Sequence, residues 1–174
     1  MCSSDLLEEA FAQLAAAAAR DVDWTCHRMA LGVAAGEAQI NVASNLESSS
    51  LLEMEVGHRA GAPEVSMVSV ETVPVSRLDD VLDDDRPCLL KLDVQGYEDR
   101  VLDGAPATLA RARLLQCELP IARLYAGQAP FRALIDRLDD ADFGLVDLDP
   151  FFYDPTDGRV LALDGLFARR SSRS

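Results

Sequence analysis

The chain has 174 residues, 49% of them hydrophobic, enough for one buried core, and its length predicts a single domain over residues 1–174. A formal charge of -14 and a pI near 4.4 leave none of the clustered Lys and Arg that nucleic acid or an anionic membrane surface requires, so neither is an expected partner. No apolar run reaches a membrane span, Met1-Cys2-Ser3 opens no signal peptide, and Cys2, Cys26, Cys88 and Cys117 form no CxxC pair, so reduced cysteines in a cytoplasmic protein are expected.

Asp5 followed by Glu8 resembles a capping box, and Leu7, Phe11, Leu14 and Ala18 recur at helical spacing, which predicts a helix over residues 5–20. Trp24–Val33 and Ala38–Ala43 read as short strands around Gly36, a hairpin-like pair. The polar stretch Asn45–Pro63, with Ser48-Ser49-Ser50, is long for a passive connection and reads as a flexible loop or a lid. Val65–Val75 alternates and is rich in Val and Thr, a strand with Pro74 near its end. Ser76 and Asp79 would cap a short helix that turns Leu78, Val81 and Leu82 inward, and Asp83-Asp84-Asp85 reads as a solvated acidic turn.

Cys88–Val94 is a buried strand, Gln95-Gly96 a sharp turn, and a helix from Tyr97 stops at Gly104, which can take a left-handed cap conformation. In open α/β sheets ligands bind at the carboxyl ends of such strands, which puts Asp93 where chemistry is done. The chain's only lysine, Lys91, lies in this stretch. Thr108–Arg113 beyond Pro106 is a second helical piece, and Leu114–Leu119 a strand that carries Glu118 near its end. Pro130 suits a first helical position, followed by Phe131, Leu134, Ile135 and Leu138 on one face. Phe143–Leu148 and Val160–Phe167 form an antiparallel hairpin across the turn from Tyr153 to Gly158, and Arg169–Ser174 reads as a frayed tail.

The run LLKLDVQGYEDRVLDGA, then CEL, LYAGQ, GLVDLDP and DGLFAR, resembles the FkbM family of S-adenosylmethionine-dependent methyltransferases from about Trp24 to Arg169. The segment D-x-[EQ]-G-x-E at Asp93, Gln95, Gly96 and Glu98 carries the likeness most specifically. The resemblance implies an α/β fold with a Rossmann-like, mostly parallel class I sheet closed by an antiparallel C-terminal hairpin, and O-methylation of a hydroxyl on a sugar or secondary metabolite. It also implies S-adenosylmethionine as cofactor. The family's glycine-rich loop after strand one and the acid ending strand two are not found, so the chain reads as N-terminally truncated, with cofactor-binding residues unknown.

On this reading Asp93 is the first candidate for base or acceptor-orienting group, with Glu118 and Glu98 in support, and Gln95, Gly96, Asn45, Ser49 and Ser50 contact the acceptor. Each has a plainer alternative. Asp93 could cap the following helix, Glu98 could be a first-turn acid, Glu118 could pair with Arg123, and Gln95 and Gly96 could simply build the turn. The carboxylates would suit magnesium, but no further ligand is visible and no metal is assigned. His27 and His58 read as structural, and Tyr125 as packing with a wet hydroxyl. Removing strands one and two would leave unpaired sheet edges and favour self-association, unless Trp24–Val33 shifts across to Leu89–Val94. The competing class is a non-catalytic binding module that retains the acceptor half of the fold.

Overall fold

A computed structural model describes residues 1–83 and 85–170, leaving Asp84 of the acidic turn and residues 171–174 of the tail outside it. A strand, β1 (Cys2–Asp5), precedes the first helix, α1 (Glu8–Ala18), which starts three residues later than the spacing predicts. Its cap position is Leu7, with no side-chain cap, so the helix depends on packing Leu7 and Ala18 inward. The chain continues through β2 (Thr25–Arg28), β3 (Ala30–Leu31), β4 (Gly36–Ala43), α2 (Val56–Gly61) and β5 (Met67–Ser76). Next come α3 (Leu78–Val81), β6 (Cys88–Leu92), α4 (Glu98–Asp103), α5 (Pro106–Arg111) and β7 (Ala112–Pro120). The last elements are α6 (Phe131–Asp140), β8 (Phe143–Tyr153) and β9 (Val160–Arg169).

The strands form three sheets: β1-β2, then β3-β5-β4, then β6-β7-β9-β8. Pairing is mixed rather than mostly parallel. The pairs β1/β2, β3/β5 and β6/β7 are parallel, while β4/β5, β7/β9 and β8/β9 are antiparallel. The expected hairpin of Trp24–Val33 with Ala38–Ala43 does not form. β3 and β4 instead flank β5, both reaching Val75, because this register buries Ile40 and Val42 with Val73 and Leu7. Pro74 pairs with Glu37 at a point where β5 has one neighbour, so its missing donor is tolerated. Trp24–Val33 does not cross to β6, and no described strand pairs with the outer edge of β6.

The main core lies between the four-stranded sheet and its helices, where Leu92, Leu115, Leu119 and Phe167 meet Val101, Leu102, Leu134 and Leu138. Each such side chain contributes about 1.5–3 kcal/mol on burial. Several expected local signals act differently from their first reading. Gly104 ends α4 at φ -86, not left-handed, and glycine is needed because a Cβ there would lie 2.0 Å from the Gly32 carbonyl oxygen. Asp79 does not cap α3; its carboxylate accepts the Ala107 and Thr108 N–H groups, both at 2.8 Å, and so caps α5. Burial would raise its pKa, but these amides and Arg77 bring it below the ordinary value. Pro130 occupies the position just before α6, and Arg169 is the last residue of β9 rather than part of a tail. Among the described residues no helix is long and apolar enough to cross a membrane.

Candidate active site

β6 and β7 run parallel and side by side, so the residues at their carboxyl ends emerge together. There a cleft of about 580 Å³ opens, lined by Asp93, Gln95 and Glu118 together with Ser49, Ser50 and Leu31. The turn after β6 is built from two residues with left-handed backbone, Gln95 at φ 52 and Gly96 at φ 90. A non-glycine residue in that region costs of order 1 kcal/mol, and surrounding bonds must hold it there. The Ser50 hydroxyl does so by donating to the Gln95 carbonyl at 2.7 Å. Gly96 is favoured by its φ of 90, and a Cβ there would also crowd Tyr125 at 3.1 Å.

The Gln95 side chain organises the wall. Its amide nitrogen donates to Asp93 Oδ1 at 2.9 Å and to Glu118 Oε2 at 3.1 Å, while its Oε1 accepts from the Tyr125 hydroxyl at 2.9 Å. Asp93 is half exposed at the cleft mouth, and its other oxygen lies 3.3 Å from Lys91 Nζ. Glu118 is 6% exposed, and among the described residues no basic side chain pairs with it; Arg123 does not. Burial first, then the charges of Glu98, Asp93 and Asp164, push its carboxyl up to about 8 against the opposing Gln95 hydrogen bond. Glu98 sits behind the turn with one oxygen accepting the N–H groups of Gly96 at 3.2 Å and Val94 at 3.4 Å. Burial raises it to about 7 in spite of those amides. Glu98 therefore braces the turn from beneath and is not part of the cleft wall.

The Asn45–Pro63 stretch is no free lid. Asn41 donates to the carbonyls of Ser50 and Leu52, the Ala43 N–H donates to Ser49 Oγ, and Met54 bridges to Tyr125. Ser49 and Ser50 reach the cleft, while Asn45 is turned to Ser48, which it holds through its amide at 3.0 Å. Sequence reasoning passed over Asp164, which lies opposite Glu118 in the β7/β9 register and lines the cleft, its Oδ2 accepting from Gln116 at 3.1 Å. A lone acid within the apolar run Val160–Phe167 was the signal for it. Tyr125 was also misjudged: its hydroxyl is buried, its one hydrogen shared between Ser48 O at 3.1 Å and Gln95 Oε1 at 2.9 Å. Among the described residues no group of His, Cys, Asp and Glu is arranged to hold a metal ion.

This arrangement gives two carboxylates on a shared amide donor, at the edge of a cleft whose size suits a small molecule. No Lys, Arg or His stands among its described lining residues. Residues 9–145 match the model of a protein family described as Methyltransferase FkbM domain. The 2-O-methyltransferase NoeI of Sinorhizobium fredii (strain NBRC 101917 / NGR234) is 39% identical over 74 residues, 41% of this chain and 29% of that protein. A crystal structure of methyltransferase FkbM from Methylobacillus flagellatus KT superposes with a TM-score of 0.50 at 14% identity, over 94% of this chain and 36% of the other. The second likeness concerns the fold, and in both cases the match spans well under two thirds of the other protein.

Proposed function

Because the chain belongs to the FkbM methyltransferase family, we propose that its cleft serves an S-adenosylmethionine-dependent transfer of a methyl group to a hydroxyl of a sugar or other small metabolite. The observation that carries this reading is the Asp93–Gln95–Glu118 arrangement at the adjoining ends of two parallel strands. Its residues fit the cofactor by charge and size. A cleft of about 580 Å³ lies in the ordinary small-molecule range, and its carboxylates favour a sulfonium cation and can accept from ribose hydroxyls. When bound, the cofactor supplies an electrophilic methyl on a positively charged sulfur.

The chain's own groups have to align the acceptor and take its proton. Asp93, at the mouth, accepts a hydrogen bond from the acceptor and orients it. Glu118, deeper and raised to about 8, has the stronger proton affinity and removes the hydroxyl proton when ionised. Asp164 extends the acceptor-facing wall beside it. Ser49 and Ser50 also border the cleft, Ser50 beside Gln95.

The test is methyl gain, read by mass spectrometry, on a panel of polyhydroxylated acceptors incubated with the protein and S-adenosylmethionine. Asp93→Asn and Glu118→Gln should each lower turnover by about 10²-fold, while cofactor affinity falls far less. The wild-type rate should climb with pH to a plateau above about 8, and Glu118→Gln should lose that climb. Full turnover in both variants would reduce the two carboxylates to structural groups. Cofactor or acceptor binding with no transfer would instead favour a binding module.

A further inference from the structure

Resting on the reading that Asp93 and Glu118 form the reacting end of the cleft, we infer that Tyr125 is a positioning residue: its hydroxyl donates to Gln95 Oε1 and thereby turns the Gln95 amide nitrogen toward both carboxylates. A carboxamide has one donating end and one accepting end, and either could face the cleft. Flipped, Gln95 would set its oxygen against Asp93 Oδ1 and Glu118 Oε2 and leave both oxygens without their donor. The Tyr125 hydroxyl, whose one hydrogen lies between Ser48 O at 3.1 Å and the nearer Gln95 Oε1 at 2.9 Å, favours the orientation with the Gln95 oxygen turned away from the carboxylates.

Tyr125 is built to be that donor. Its side chain is 1% exposed, pressed on one side against Gly96 and met edge-on by the His58 ring at 5.4 Å. Its backbone N–H donates to Gln128 Oε1 at 2.7 Å, and Gln128 Nε2 in turn donates to the Ala122 carbonyl, so the loop carrying the ring is tied to itself. Both acceptors within reach of the hydroxyl, Ser48 O and Gln95 Oε1, are themselves anchored, the second by the Ser50 bond to the Gln95 carbonyl. The LYAGQ segment thus acts on the cleft from behind, through one amide. With both hydrogens of Gln95 Nε2 engaged, Asp93 and Glu118 each give one oxygen to it and keep the other for the cleft or, in Asp93, for Lys91 as well.

The consequence is measurable without any methyl transfer. The charged groups that face Glu118 are Glu98 from α4, Asp93 from the end of β6 and Asp164 from β9, all acidic, and the Gln95 amide is the donor that opposes them. Tyr125→Phe keeps the ring and removes only the hydroxyl. Gln95→Asn keeps an amide and tolerates left-handed backbone, but is one methylene too short to span the two carboxylates. Carbon-13 carboxyl titrations of the intact chain, with the Glu118 signal assigned by its loss in Glu118→Gln, should show the Glu118 midpoint rising by about one pH unit in Tyr125→Phe, since a donor to the ionised form is freed to turn away. Adding Tyr125→Phe to Gln95→Asn should produce no further rise. An unmoved midpoint in Tyr125→Phe, or the same rise with Gln95 already replaced, would overturn the role. Failure here is separable from failure of the proposed reaction, because no acceptor or cofactor enters the measurement.

Discussion

Glu98 and Glu118 keep their protons in the folded chain up to about 7 and about 8, against an ordinary glutamate value of 4.5. The folded state therefore binds more protons than the unfolded chain between those limits, and stability falls as pH rises through that window. Acid does not unfold the protein through these two groups. Glu118→Gln removes one of them while keeping a similar shape, and near pH 8 should melt about 2–4 °C higher than wild type, with little difference near pH 5. Calorimetric scans of both proteins across that range check this, and equal slopes of Tm against pH would count against a buried, proton-holding Glu118. Such a destabilised acid is tolerable if it serves the cleft, as expected where folds depart from local rules.

Among the elements, β9 and the two helices beside it depend on one side chain. Arg169 Nε donates to the Ala112 carbonyl at 2.9 Å, Nη2 donates to Leu109 O and Nη1 to Ala141 O, and the guanidinium lies 4.6 Å from the Phe143 ring centroid. It thus satisfies carbonyls at the ends of both α5 and α6, where cations are favoured. Arg169→Ala should cost about 2 kcal/mol or more, and Arg169→Lys should recover only part of it, because a single ammonium cannot span three carbonyls. Denaturant melts give the number; a loss within error of zero would make this contact incidental. The strand, turn and helix around Asp93 were legible because a buried apolar run meets Gln-Gly at a residue that must reverse the chain, and the Pro/Asp/Gly turn likewise marked the β8/β9 hairpin. The partner of β4 was not legible. Nearness in sequence pointed to Trp24–Val33, whereas burial of Ile40 and Val42 is achieved with β5. β1 was missed because four residues, two of them serine, carry no periodic signal. In the site, the acids could be named from their strand ends. The role of Tyr125 could not, since its hydroxyl partners, Ser48 and Gln95, lie 77 and 30 positions away in the chain.

At the scale of the molecule, the cleft is lined both by residues of the three-stranded sheet, Ala30, Leu31 and Ile40, and by Glu118 and Asp164 of the four-stranded sheet, whose outer strand β6 has no described partner strand on its free edge. An unpaired edge with Leu89 60% exposed and one lysine invites pairing with another copy. Concentration-dependent association in light scattering is the expected behaviour, and a monomer that melts cooperatively above about 60 °C would argue that the edge is covered in solution. The glycine-rich turn that supplies backbone N–H donors to a cofactor has no counterpart in the sequence, so this chain should bind S-adenosylmethionine only in the high-micromolar to millimolar range. Weak binding can still be located. Amide shifts in a nitrogen-15-labelled sample titrated to millimolar S-adenosylmethionine should move at Leu31, at Ser49 and Ser50, and along Val94–Gly96, and should move less in Asp93→Asn. No shifts at those positions at saturating cofactor, or shifts confined to surfaces away from the cleft, would contradict the claim that this cleft is where the methyl donor and its acceptor meet.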